Sequence, residues 1–197
     1  PPRGSSASHR GGGHGGAAER AVVGTGGFST SGDQRLDRQD RGGDPRPITE
    51  AVDRRYADAV VDRERGLLYA IREDHTDASE EAVNTIVSLG LDGAGEVVVV
   101  EGNDFYSDPH LSPDGTKLSW LAWNHPHLPW DGTELWVGTV AEDGSVGSSR
   151  IVAGGGEVSL VQPSGSPAGV LHSVTAGRGW GPHYPPGWPG GAARAPL

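Results

Sequence analysis

Ser112, Ser166 and His172 are residues of the types that make a nucleophile and its base. Acyl transfer by serine needs the hydroxyl within hydrogen-bond reach of a base, with an oxyanion hole beside both. An α/β-hydrolase meets that need with Gly-x-Ser-x-Gly on a strand-to-helix turn. No such string occurs in the 197 residues. Ser112 stands instead in Ser112-Pro113-Asp114-Gly115. There Pro fixes φ, Asp bonds its own backbone and Gly takes positive φ. The string predicts a tight turn leading into a strand, so no catalytic residue is assigned.

Three other groups of residues could bind rather than react. His125 and His127 flank Pro126, but no third ligand follows at a zinc-like spacing, so no metal and no cofactor is expected. Trp120, Trp123, Trp130 and Trp136 are spaced as strand residues are, which favours core over a stacking platform for a ligand. Glu73, Asp74, Asp77, Glu80 and Glu81 form an acidic loop. It could attract the α-amino group of a peptide, although a solvated surface loop is the favoured account.

The elements that hold these residues are short strands bounded by turns. Arg35–Gln39, Leu67–Arg72, Thr85–Leu91, Val97–Val100, Lys117–Trp123, Glu134–Val140 and Arg150–Ala153 read as strands. Asp92-Gly93, Asp114-Gly115 and Asp143-Gly144 read as turns between them. No segment reads as a helix of three turns. The units repeat. Tyr56-Ala-Asp58 and Tyr106-Ser-Asp108 open two of them, 50 residues apart. Asp108-Pro109 and Gln162-Pro163 mark a third start, 54 residues on. A period near 50 with about four strands per unit is the signature of propeller blades. An ordinary β-sandwich with coincidental turns is the competing reading.

Composition agrees with a chain full of turns. It has 33 Gly, 15 Pro and only 34% hydrophobic residues. The formal charge is −10, which disfavours nucleic acid and anionic membrane as partners. With no Cys there are no disulfides, thiolate metal sites or Cys nucleophiles, which says little about compartment beyond allowing the cytosol; the expected location is cytoplasmic. No apolar run approaches the roughly 20 residues of a membrane span. The expected fold is all-β, a partial β-propeller of two to four blades of four-stranded antiparallel sheet. An irregular Gly-rich segment (1–27) precedes the propeller (28–175), and an irregular Pro/Gly-rich tail (176–197) follows it.

Residues 103–138 carry a more specific pattern. It runs Asn103-Asp-Phe-Tyr-Ser-Asp-Pro-His-Leu-Ser-Pro-Asp-Gly115, then Leu118-Ser-Trp-Leu-Ala-Trp-Asn-His-Pro126, then Pro129-Trp-Asp-Gly-Thr-Glu-Leu-Trp-Val137. This resembles the N-terminal propeller of prolyl oligopeptidase-family serine peptidases, and most closely the dipeptidyl aminopeptidase/acylaminoacyl-peptidase branch. The resemblance covers about residues 28–175. It implies a hydrolase domain elsewhere in the parent enzyme, which carries the catalysis and acts on peptide substrates. It also implies a propeller that covers that domain's active site and admits only short peptides. A free-standing or TolB-like protein-binding propeller is the alternative. Both ends depart from the pattern, and Pro1 in place of an initiator Met suggests a fragment. Reading-frame shifts would leave ends of this kind, which reading the coding DNA past codon 162 in the other frames tests.

Overall fold

The computed structural model describes residues 20–22, 25–29, 34–40, 42–50, 52–156, 158–166, 170–175 and 181–183. No helix occurs among them. The strands form four antiparallel sheets in chain order. The first holds β1 (Arg20–Val22), β2 (Thr25–Ser29), β3 (Leu36–Asp40) and β4 (Arg46–Pro47). The second holds β5 (Arg54–Asp62), β6 (Leu67–Asp74), β7 (Val83–Gly90) and β8 (Val97–Val100). The third holds β9 (Phe105–Leu111), β10 (Lys117–Trp123), β11 (Glu134–Val140) and β12 (Val146–Gly154). The fourth has three strands among the described residues: β13 (Leu160–Gly165), β14 (Leu171–Thr175) and β15 (Gly181–His183). In every sheet each strand pairs with its sequence neighbours. Four such meanders laid face to face in order are propeller blades.

Paired backbone starts at Arg20 and reaches His183, beyond the bounds of 28 and 175 expected from the side-chain pattern. Gly26 and Gly27 carry no apolar signal, yet they pair in register with Gln39 and Arg38 of β3. A ladder needs backbone donors and acceptors rather than side chains. The Gly-rich stretch 1–19 and the tail 184–197 lie outside the described residues.

The core consists of the seams between blades. Along β6, Leu68 and Ala70 pack toward the first blade, Tyr69 and Ile71 toward the third. Period two sends alternate residues to opposite faces, so a strand buried on both faces reads as a continuous apolar run. In the third blade, Leu118, Trp120 and Ala122 meet Tyr69, Ile71 and Ile86 of the second. Leu121, Leu135 and Val137 meet Leu160 and Leu171 of the fourth. Trp120 is 1% exposed and pairs in register with Trp136, their rings 6.3 Å apart and 6° from parallel. A Cβ on Gly138 would stand 3.1 Å from the Trp120 ring and 2.6 Å from Val146 Cγ1, so a larger residue here must displace the Val146 side chain and crowd the ring.

Polar groups tie the same seams. Arg65, on the turn after β5, donates 2.9 Å to the Ala141 carbonyl and 3.0 Å to the Gly115 carbonyl of the third blade. Asp62 holds it through a 2.7 Å ion pair and also accepts the Glu64 and Arg65 N–H groups. That bond raises the guanidinium pKa further, against the opposing effect of burial. Tyr69 donates its hydroxyl to the Gly144 carbonyl at 3.0 Å. Burial, with Asp62 nearby, pushes its pKa up to about 12. Thr133 clasps the fourth blade, donating to the Leu160 carbonyl and accepting the Leu160 N–H.

The Ser112–Gly115 turn is closed from within. Asp114 accepts the Ser112 and Thr116 hydroxyls and the Thr116 N–H. Led by the Ser112 bond, these hold its carboxyl below the usual aspartate range.

Three outcomes are expected. Trp120→Ala lowers stability by about 3–5 kcal/mol and Trp136→Ala by less, because Trp136 is only half-buried; equal melting temperatures for wild type and Trp120→Ala would contradict the seam assignment. Asp114 is bound in its charged form, so its stabilisation is present above the unfolded value of about 3.9 and is lost as pH falls through the lower folded value. Melting curves for wild type and Asp114→Asn should therefore differ at neutral pH and converge in acid. Finally, no core cluster among the described residues joins the fourth blade back to the first. Size-exclusion chromatography over a range of concentrations should show self-association through the uncovered blade faces, and a concentration-independent monomer would contradict it.

Candidate functional site

In a four-stranded meander, the connections between second and third strands and those between blades emerge at one end. Here that end carries the loops 48–53, 75–82, 101–104, 124–133 and 155–159. Apolar side chains are exposed at that end: Val52, Leu128 and Trp130 in its loops, Trp130 at 67%, and Val83 at the start of β7. The opposite end is made of short turns such as Asp62–Gly66 and Ser112–Gly115.

The structure separates the five acidic residues of the 73–81 segment. Asp74 accepts Arg54 at 2.9 Å and belongs to a partly buried network with Arg72, Glu96 and Tyr56. Burial pushes its carboxyl up, but the bonds from Thr76 and Arg54 outweigh that and hold its pKa below the ordinary value. In the same network burial, aided by the Glu96 hydrogen bond, pushes the Tyr56 hydroxyl well up. Glu73 bonds His75 at 3.2 Å, and Asp77 caps its own turn through Ser79. Glu81 lines a cavity.

That cavity, of about 240 Å³, lies at the seam of the second and third blades. Glu81, Asn84, Asn103, Asp104, Phe105 and His125 line it. Its floor is aromatic: Phe105 stacks on Trp123 at 5.6 Å and meets His125 edge-on at 5.0 Å. Hydrogen bonds fix the loops around it. Asp104 accepts the His125 N–H at 2.8 Å and donates its own N–H to Asn124 at 2.7 Å. Asn84 donates to the Asp104 carbonyl at 2.6 Å. His125 Nε2 lies 3.4 Å from Glu81 Oε1, so the two blades also touch through this pair.

The residues of nucleophilic type lie elsewhere. Ser112 is 3% exposed, donates its proton to Asp114 and accepts the Lys117 N–H, which spends its hydroxyl on the turn. Ser166 accepts the Val170 N–H in the β13–β14 turn, and His172 lies in β14 opposite Ser164. His127 is exposed in the 124–133 loop, and no group of three or more metal-ligating side chains occurs among the described residues. Of the four tryptophans between residues 120 and 136, Trp120 and Trp123 are buried and Trp136 half-buried, whereas Trp130 departs from the core assignment and stands in solvent. Its Pro-Trp-Asp-Gly setting is a loop, where strand spacing carries no information about burial. Asn84, Asn103 and Asp104 gave no binding signal in the sequence, because their convergence depends on blade packing across about 20 residues of chain.

No family model matches the chain, and no curated protein does. Solved structures do match. Puromycin hydrolase is 33% identical over 85% of this chain, with a TM-score of 0.74. A puromycin-hydrolyzing peptidase from Mycobacterium tuberculosis is 32% identical over 87%, with a TM-score of 0.75. The chain spans only 28% and 29% of their lengths. An oligogalacturonate lyase from Vibrio parahaemolyticus is 14% identical over 77% of this chain and 43% of its own, with a TM-score of 0.56, which shows the fold alone. The portion matched in the puromycin hydrolases is their N-terminal propeller. Blade sequence and blade architecture agree, and the chain is similar to the N-terminal propeller portion of prolyl oligopeptidase-family peptidases.

Proposed function

We propose that this chain serves as the propeller of a prolyl oligopeptidase-like serine peptidase, covering a hydrolase active site and limiting access to short peptides. The observation that carries the reading is the 33% identity to puromycin hydrolase across 85% of the chain. Topology supports it. A four-stranded blade begins and ends at the same end of the propeller, so a domain joined to the blades in series is tethered at the end that bears Trp130, Leu128 and Val83. Exposed apolar side chains there favour a protein neighbour. In this role the propeller contributes specificity by steric exclusion, and bond cleavage belongs to the hydrolase domain. The dipeptidyl aminopeptidase/acylaminoacyl-peptidase type, peptide substrates and a cytoplasmic location are parts of the same proposal.

Two measurements test it. The chain alone should hydrolyse neither aminoacyl nor acyl-aminoacyl chromogenic amides; turnover that survives purification and is abolished by Ser112→Ala would refute the division of labour. Joined to a puromycin hydrolase catalytic domain in place of the matching propeller segment, the chain should permit cleavage of a short amide and suppress cleavage of a long unfolded polypeptide. Equal cleavage of the long substrate with and without the propeller would defeat the gating role.

A further inference from the structure

We propose that the cavity at the seam of the second and third blades binds an arginine side chain presented by a peptide or protein segment. The proposal is independent of the hydrolase reading. At about 240 Å³ the cavity has room for one long side chain and falls short of a drug-sized ligand site. Glu81 and Asn84 come from the second blade, Asn103 and Asp104 from the crossing, and Phe105 and His125 from the third blade. Two acidic residues therefore line one space, and no lysine or arginine does.

Both carboxylates keep accepting capacity. Asp104 uses Oδ2 on the His125 N–H. Glu81 is exposed and touches only the His125 ring, at 3.4 Å. Asn84 spends its amide nitrogen on the Asp104 carbonyl, which leaves its oxygen as a further acceptor. The set is rich in acceptors, and a guanidinium is all donor, with five N–H groups in one plane. The aromatic floor selects in the same direction. Trp123 and His125 hold the Phe105 ring in place, and a guanidinium stacks on aromatic rings more readily than a compact, strongly hydrated ammonium does. The net charge of −10, with Asp77 and Glu80 close in sequence, makes the approach attractive for a cation.

Titration calorimetry of the full chain with acetyl-arginine-amide, and with the corresponding lysine and citrulline amides, tests this. Citrulline keeps the shape of arginine and removes the charge. Arginine should bind about tenfold or more tightly than citrulline, the difference carried by one charge-assisted hydrogen bond, and lysine should fall between. Glu81→Gln and Phe105→Ala should each weaken arginine binding by a similar factor, while Asp77→Asn leaves it unchanged. Glu81 is exposed, so its variant keeps the fold, and a melting curve checks Phe105→Ala. Absence of binding, equal binding of arginine and citrulline, or binding that Glu81→Gln and Phe105→Ala both leave intact would overturn the assignment. Glycine amide binding as tightly as acetyl-arginine-amide would assign the cavity to a peptide amino terminus instead, and so overturn it too.

Discussion

Trp120 is closed in on one side by its cross-strand partner Trp136 and on the other by Tyr69, Ile71 and Ile86 of the preceding blade. That seam expresses the constraint on which the whole arrangement rests. A sheet with apolar residues on both faces cannot stand alone in water, because each face left open costs about 25 cal/mol for every Å² of apolar surface. Tyr69 and Leu68 are adjacent in sequence and belong to two different seams. The second blade is therefore stable only as a layer between two others. The same holds for the third, where Leu121 and Ala122 divide in the same way. Stability in such a stack is a sum of neighbour interfaces, as in other repeat architectures.

The seams also explain where binding groups can reside. Central strands β6, β7, β10 and β11 are occupied by packing on both faces and have little room for chemistry. Their turns at one end are short and self-bonded: Asp114 accepts from Thr116 and Asp143 from Ser145, while Asp62 and Asp92 accept backbone N–H groups two residues on. The longer loops at the crossing end leave more side chains exposed, although Asp77 caps its own turn and Thr133 packs against the fourth blade. The exposed tryptophan, the divided acids and the seam cavity all lie there, as loops on a rigid scaffold generally carry recognition.

Much of the fold was legible because central strands obey period two under full burial. Lys117–Trp123 and Glu134–Val140 have the bounds their residue types predict, as does Val97–Val100, an outer, partly exposed strand whose β-branched run carries the strand preference by itself. The first strand of each blade was legible only as a repeated start. Arg54–Asp62 and Phe105–Leu111 include Asp58, and Asp108 followed by Pro109, residues that propensity keeps out of strands. The candidate site was less legible still. Glu81 stood out only as one acid of five, and what distinguishes it is its position beside the neighbouring blade, which no local pattern encodes. Trp130 shows the reverse error, since an aromatic at strand spacing was expected in the core and lies in a loop.

The unexpected aspartates have a common physical reason. Asp58, Asp108 and Gln162 have φ of 50°, 52° and 52°, at equivalent points of β5, β9 and β13, and at each point the ladder to the next strand slips. These are β-bulges with the extra residue in the left-handed region, where Asp is better tolerated than most side chains. A bulge interrupts regular pairing, and a backbone N–H left without a partner is costly. At Asp108 the neighbouring blade supplies that partner: the Asp58 carboxylate accepts the Asp108 N–H at 3.2 Å. One aspartate thus serves two purposes. Its backbone turns its own strand, and its side chain satisfies the corresponding turn in the next. The repeat of 50 residues in sequence is in this sense a contact in space, and blades in which first strands bulge in step can pack with those strands side by side.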